Sequence, residues 1–130
     1  MVRVLTVDDQ PVFRDAARAV IAATPGFEAL AEVASGEDAL ALADRLRPDL
    51  VLLDVGLPGI DGLETSRRLT ATEPAPVVVL ISADGAVVAR GVSQDGVVVG
   101  FIAKRELRPG ILRTLWERHG RPSAAITPPG

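Results

Sequence analysis

The stretch Asp49-Leu50-Val51-Leu52-Leu53-Asp54-Val55-Gly56-Leu57-Pro58-Gly59 decides the fold. An apolar run ends in one carboxylate, and Gly and Pro follow directly. A short apolar run bounded by such breakers predicts a strand buried on both faces, as in a parallel sheet. A carboxylate inside that strand is costly without compensation. The spacing therefore predicts Asp54 at the strand's carboxyl end, facing the crevice where open α/β sheets bind ligands.

Working outward, the pattern repeats. Val2–Val7 reads as a buried strand ending in Asp8-Asp9-Gln10-Pro11. Helical spacing of Phe13, Ala16, Ala17, Val20 and Ile21 predicts a helix to about Ala23. Phe27–Val33 alternates Phe27, Ala29, Ala31 and Val33 against Glu28 and Glu32, which predicts an edge strand with one wetter face. Ser35 precedes Gly36-Glu37-Asp38 as a helix cap, with acids in the first turn. That helix has Ala39, Leu40, Leu42, Ala43 and Leu46 on its apolar face and stops at Arg47-Pro48.

A third helix is expected from Gly62 or Leu63 to Thr72. Val77–Ile81 is a fourth buried strand with Ser82 at its end. A helix poor in propensity is expected from Asp84 to about Ser93, because Gly85, Gly91 and Gly96 interrupt this region. Val97–Ala103 is a fifth strand with Lys104 at its end. Pro109–His119 is a last helix with Ile111, Leu112, Leu115 and Trp116 on one face. The order βαβαβαβαβα predicts a parallel sheet with helices on both faces. Residues 1–119 form one expected domain; 120–130, with three prolines and no periodicity, read as a linker or disordered tail.

Composition removes other classes. The 130 residues carry 48% hydrophobic but only 3% aromatic residues, so Ala, Val and Leu must fill the core. A net charge of −3 and a pI near 5.1 give no electrostatic footprint for nucleic acid. No cysteine means no disulfide and no thiolate metal site. No apolar run approaches the roughly 20 residues of a membrane span. With no signal-peptide pattern, a soluble cytoplasmic protein is expected.

Four strands end in polar groups: Asp8 and Asp9, Asp54, Ser82, and Lys104. In a parallel sheet these ends share one rim. Clustered carboxylates repel, and a divalent cation resolves that; oxygen ligands without His or Cys select Mg²⁺ or a similar ion. Metal, ammonium and hydroxyl together suit the oxygens of a transferring phosphoryl group, leaving one carboxylate, Asp54, to attack as nucleophile. Taken singly, each position has a plainer reading. Asp8-Asp9 would be a turn and cap, Lys104 a solvated strand-end charge, and Phe101 a core aromatic.

Together, Val7-Asp8-Asp9, Leu52 through Gly62, Ser82-Ala83 and Gly100-Phe101-Ile102-Ala103-Lys104 resemble the receiver domain of two-component response regulators. The similarity spans about residues 2–118. The stretches Asp9-Gln10-Pro11-Val12-Phe13-Arg14 and Thr24-Pro25-Gly26-Phe27-Glu28 are most like the subclass with a C-terminal helix-turn-helix (LuxR-type) DNA-binding domain. The resemblance implies a flavodoxin-like (βα)5 fold with strand order 2-1-3-4-5. It implies that Asp54 accepts a phosphoryl group from a sensor histidine kinase. It implies that Asp9 binds Mg²⁺ directly, Asp8 through water and Gly56 through its carbonyl. Ser82 and Lys104 would contact the phosphoryl oxygens, and Phe101 would move inward with Ser82 as the output face switches to control transcription.

Such a receiver catalyses only its own phosphorylation and dephosphorylation. DNA would be reached through a C-terminal domain that this chain lacks, and a homodimer is left open. The sequence departs from the family at Val97-Val98 and at Ser93-Gln94-Asp95-Gly96, which bear on the output face, and Arg105 stands where many receivers have Pro. A receiver fold acting as a phosphorylation-independent interaction module is the alternative. A flavin-binding protein is opposed by the acidic rim. An Asp-nucleophile phosphohydrolase is opposed by Gly56, which stands where a second Asp is needed.

Overall fold

A computed structural model describes residues 1–72, 74–83 and 100–119 of the chain. The elements are β1 (Val2–Val7), α1 (Pro11–Ala22), β2 (Phe27–Val33), α2 (Gly36–Leu46), β3 (Leu50–Asp54), α3 (Gly62–Thr70), β4 (Val77–Ser82), β5 (Gly100–Ala103), a 3-10 turn (Lys104–Glu106) and α4 (Pro109–His119). The five strands form one sheet in the order β2-β1-β3-β4-β5, and every adjacent pair is parallel. The flavodoxin-like topology expected from the sequence is thus present. The expected helix over 84–93, Val97-Val98 and the segment 120–130 lie outside the described residues.

Local chemistry sets the element ends. Ser35 Oγ accepts the Asp38 N–H at 3.1 Å and caps α2; Asp61 Oδ1 accepts the Glu64 N–H at 2.8 Å and caps α3. Helix α2 ends at Arg47, whose φ of 52° is left-handed, and Pro48 prevents continuation. Its orphan carbonyls are taken by Arg3, whose guanidinium donates to Leu46 and Arg47 at 2.6 and 2.8 Å.

Each face of the sheet is covered. Val4, Leu50, Leu52, Val79 and Ile81 pack with Phe13, Ala17 and Ile21 of α1 and Leu112 of α4, and Trp116 lies against this layer. Leu5, Val7, Val51, Leu53 and Leu80 pack with Ala39 of α2 and Leu69 of α3. In β3, even and odd positions serve opposite layers, as a strand buried on both faces requires. Burial of one such Leu or Ile contributes about 2 kcal/mol. The layers, not the rim, therefore hold the fold, and the rim is free to carry unfavourable charge. Among the described residues, no helix is long and apolar enough to cross a membrane.

Three expectations need correction. Ala16 is exposed, so the buried face of α1 is the narrower Phe13-Ala17-Ile21 stripe. Helix α3 stops at Thr70, short of the expected Thr72, where the Ala71 and Thr72 N–H groups turn back to Arg68 and Leu69. The alternation in β2 does not keep one face. Val4 pairs with Ala29 but Leu5 pairs with Ala31, so Leu30 is an extra residue in the ladder. That bulge sends Phe27 and Ala29 to the α1–α4 layer and Ala31 and Val33 to the α2–α3 layer. The edge position of β2 itself is as expected.

Candidate functional site

Strand register builds the site. Val7 pairs with Leu53, Asp54 with Ile81, and Ser82 with Ala103. Stepping one residue past Val7 and Ala103 places Asp8 and Lys104 on the rim that already holds Asp54 and Ser82. Asp8, Asp54 and Ser82 are buried there, while Asp9 is exposed. Carboxylate oxygens of Asp8, Asp9 and Asp54 lie within 4.8 Å of one another.

Lys104 reaches into this cluster. Its Nζ is 2.7 Å from Asp8 Oδ2 and 3.7 Å from Asp54 Oδ2. Asp54 Oδ1 accepts the Gly56 N–H at 3.1 Å, and Asp8 Oδ1 accepts the Gln10 N–H at 2.8 Å. Burial pushes the Asp54 carboxyl up from the usual range. The Gly56 N–H opposes this, Asp8 adds to it, Lys104 opposes it and Asp9 adds a smaller push. Burial, with a lesser contribution from Asp8 and Asp9, thus disfavours the charged form of Asp54. An ion bound by hard oxygens would relieve it.

The loop after Asp54 is held close. The Val55 N–H donates to Ile81, and Gly62 at the start of α3 donates to the Val55 carbonyl at 3.3 Å. A Cβ on Gly62 would sit 2.5 Å from both the Asp54 carbonyl oxygen and the Val55 Cα, so only glycine permits this approach. The backbone of Phe101 pairs with Leu80 in the sheet; its side chain lies outside the described residues.

Three residues that sequence reasoning did not assign to the site are also here. Gln10 Oε1 accepts from Lys104 Nζ at 3.0 Å. The Phe13 ring lies 5.1 Å from the same ammonium, and Arg14 donates to the Asp8 carbonyl at 2.6 Å. The available signal was Gln10 itself: glutamine is not among the favoured helix caps, so its side chain had no local duty.

Residues 4–115 match the response regulator receiver domain family. The chain belongs to that family. This receiver domain is 35% identical over 129 residues to the positive alginate biosynthesis regulatory protein of Pseudomonas aeruginosa, covering 97% of this chain and 52% of that protein. It is 40% identical over 82 residues to the response regulator GacA of the same species, covering 63% of this chain and 38% of that one. It is 44% identical over 79 residues, 61% of this chain, to a protein-glutamate methylesterase/protein-glutamine glutaminase of Anaeromyxobacter dehalogenans, of which it matches 23%. The chain therefore spans about half or less of these relatives.

Among solved structures, a LuxR-family two-component response regulator from Aurantimonas superposes with a TM-score of 0.76 at 29% identity, covering 90% of this chain and 86% of that one. The signal receiver domain of NarL from Mycobacterium tuberculosis gives 0.77 at 30% identity, with 90% and 94% covered. The resemblance to the LuxR-type subclass agrees with these neighbours.

Proposed function

We propose that this receiver domain takes a phosphoryl group onto Asp54 from the phosphohistidine of a sensor histidine kinase. The observation that carries the reading is the Lys104 ammonium between Asp8 and Asp54, on a rim where three acids gather. In the transfer, an oxygen of Asp54 forms the new O–P bond. The P–N bond to the donor imidazole breaks, and its electron pair stays on the ring nitrogen. Lys104 neutralises charge on the phosphoryl oxygens, and Ser82 donates its hydroxyl to one of them.

The donor set fits Mg²⁺: it is all oxygen, and its acids outnumber its cations. Asp9, Asp54, Asp8 and the Gly56 carbonyl would hold the ion. When bound, it supplies positive charge against the phosphoryl oxygens.

Phosphorylation adds about −1.5 to −2 charges and strong acceptors at Asp54. Ser82 and Lys104 answer that charge, and Phe101 follows Ser82, so the output face repacks as a two-state element. In this reading residues 1–119 are the receiver and 120–130 a linker. Catalysis is limited to the domain's own phosphorylation and dephosphorylation in the cytoplasm. Transcription is the output, through a LuxR-type DNA-binding domain beyond this chain, with homodimerisation of the receiver as a further step.

Incubation with Mg²⁺ and acetyl phosphate, followed by intact-mass measurement, tests the acceptor. One added phosphoryl group that Asp54→Asn abolishes is the expected result. No gain in a folded protein would overturn it. A beryllofluoride-induced change near Phe101 is the expected sign of a working switch.

A further inference from the structure

We propose that Gln10 is a positioning residue for Lys104: its amide oxygen holds the ammonium in place between Asp8 and Asp54. The proposal rests on the acceptor reading of Asp54 given above.

Gln10 occupies the N-cap position of α1, with extended backbone angles of −98° and 114°, yet its side chain makes no capping hydrogen bond. Pro11 follows at the first turn and has no N–H to satisfy. The Phe13 N–H at N3, which a capping side chain could take, bonds to the Gln10 backbone carbonyl at 3.1 Å, and the side-chain Oε1 instead reaches Lys104, 94 positions away in the chain.

An ammonium has three donors, no acceptor and a flexible four-carbon stem, so its direction must come from its neighbours. Gln10 Oε1 at 3.0 Å takes one of the donors, and Asp8 Oδ2 pairs with the ammonium by charge at 2.7 Å without a hydrogen bond. Asp54 Oδ2 at 3.7 Å lies beyond hydrogen-bond reach, and the Phe13 ring closes another side at 5.1 Å.

Gln10 also donates its backbone N–H to Asp8 Oδ1 at 2.8 Å. One residue thus anchors both members of the Asp8–Lys104 pair. Being neutral, it adds no fourth negative charge to the rim. Without its acceptor, the ammonium keeps two carboxylate attractors and no third point to set its direction.

A double-mutant cycle tests this on the whole chain. Initial rates of phosphorylation by acetyl phosphate with Mg²⁺ are measured for the native protein, Gln10→Met, Lys104→Met and the double variant. Methionine keeps the length and removes the strong acceptor. Gln10→Met is expected to slow the reaction about three- to tenfold, the equivalent of one hydrogen bond. The same change in the Lys104→Met background is expected to cost less than about twofold, because the group it positions is gone.

Equal losses in both backgrounds, or no loss beside Lys104, would overturn the proposal. Where the Lys104→Met rate is too slow to read, beryllofluoride affinity replaces it, with the same non-additivity expected and additivity counting against it. Asp54→Asn is run alongside. Phosphorylation surviving that change would sink the acceptor reading itself, whatever the cycle gives.

Discussion

The two ends of the sheet handle charge in opposite ways. At the amino end, Asp49 accepts the Arg3 N–H at 2.9 Å through its carboxylate, and its own N–H returns to the Arg3 carbonyl at 2.9 Å. Its carbonyl takes the Val77 N–H at 3.0 Å, so β1, β3 and β4 are stitched together there. The Arg3 guanidinium spends its donors on the last carbonyls of α2. Both charges are engaged by backbone partners there. At the carboxyl end, three carboxylates gather beside one ammonium, and burial first, then the neighbouring acids, push Asp54 toward protonation. A charge already satisfied acts as a staple, whereas clustered buried carboxylates held by a rigid frame leave a burden that a bound cation would relieve.

The largest expected effect tests how firmly the frame holds that cluster. Gly62→Ala puts a methyl 2.5 Å from the Asp54 carbonyl oxygen and the Val55 Cα, and both are backbone atoms that cannot swing aside. Denaturant unfolding should show a loss of about 3 kcal/mol, the upper end for overpacking. Unchanged stability would mean that the rim is not fixed by the packing of α3 against the end of β3.

A smaller loss is expected at the staple. Asp49→Ala leaves the partly buried Arg3 N–H without its carboxylate. Equilibrium unfolding should fall by about 1–2 kcal/mol, the cost of an unsatisfied donor. Asp49→Asn keeps an acceptor and should lose less. A stabilised Asp49→Ala variant would erase the contrast between the two ends.

Much of this arrangement was legible in the sequence because it follows from strand direction. Once the runs ending at Val7, Asp54, Ser82 and Ala103 are all read as parallel strands, Asp8, Asp54, Ser82 and Lys104 must share a rim. The period of a strand and the stop signals of Gly and Pro carry that information. Leu30 was not legible, because a bulge leaves the residue pattern of β2 intact while changing which layer each half faces. Ala16 was misplaced because alanine satisfies a helical apolar stripe equally well inside or out. The role of Gln10 left only one trace, an unfavoured residue at a helix cap, because a contact with Lys104 spanning 94 positions has no local periodicity.

The contrast predicts opposite signs for removing a carboxylate, and Asp54→Asn supplies the second sign. Because the folded protein raises the Asp54 pKa, the native state binds more protons than the unfolded chain between the ordinary Asp range and the raised value. Wild-type stability therefore falls as pH rises through that window, and the penalty is complete above the raised value. Asparagine carries no charge there. The variant should be more stable than wild type at neutral pH by about 1 kcal/mol, a rise of roughly 4 °C in Tm for a domain of this size. The gain should shrink as pH falls through the window, since protonation relieves wild type of the same burden. Saturating Mg²⁺ should narrow it too, because the ion stabilises the native state that binds it and Asp54→Asn removes one of its ligands. Thermal melts of both proteins across pH, with and without Mg²⁺, read all three effects. A destabilised Asp54→Asn at neutral pH would place Asp54 with Asp49 among the satisfied charges, and the carboxyl rim would then have no imbalance for an ion or a phosphoryl group to resolve.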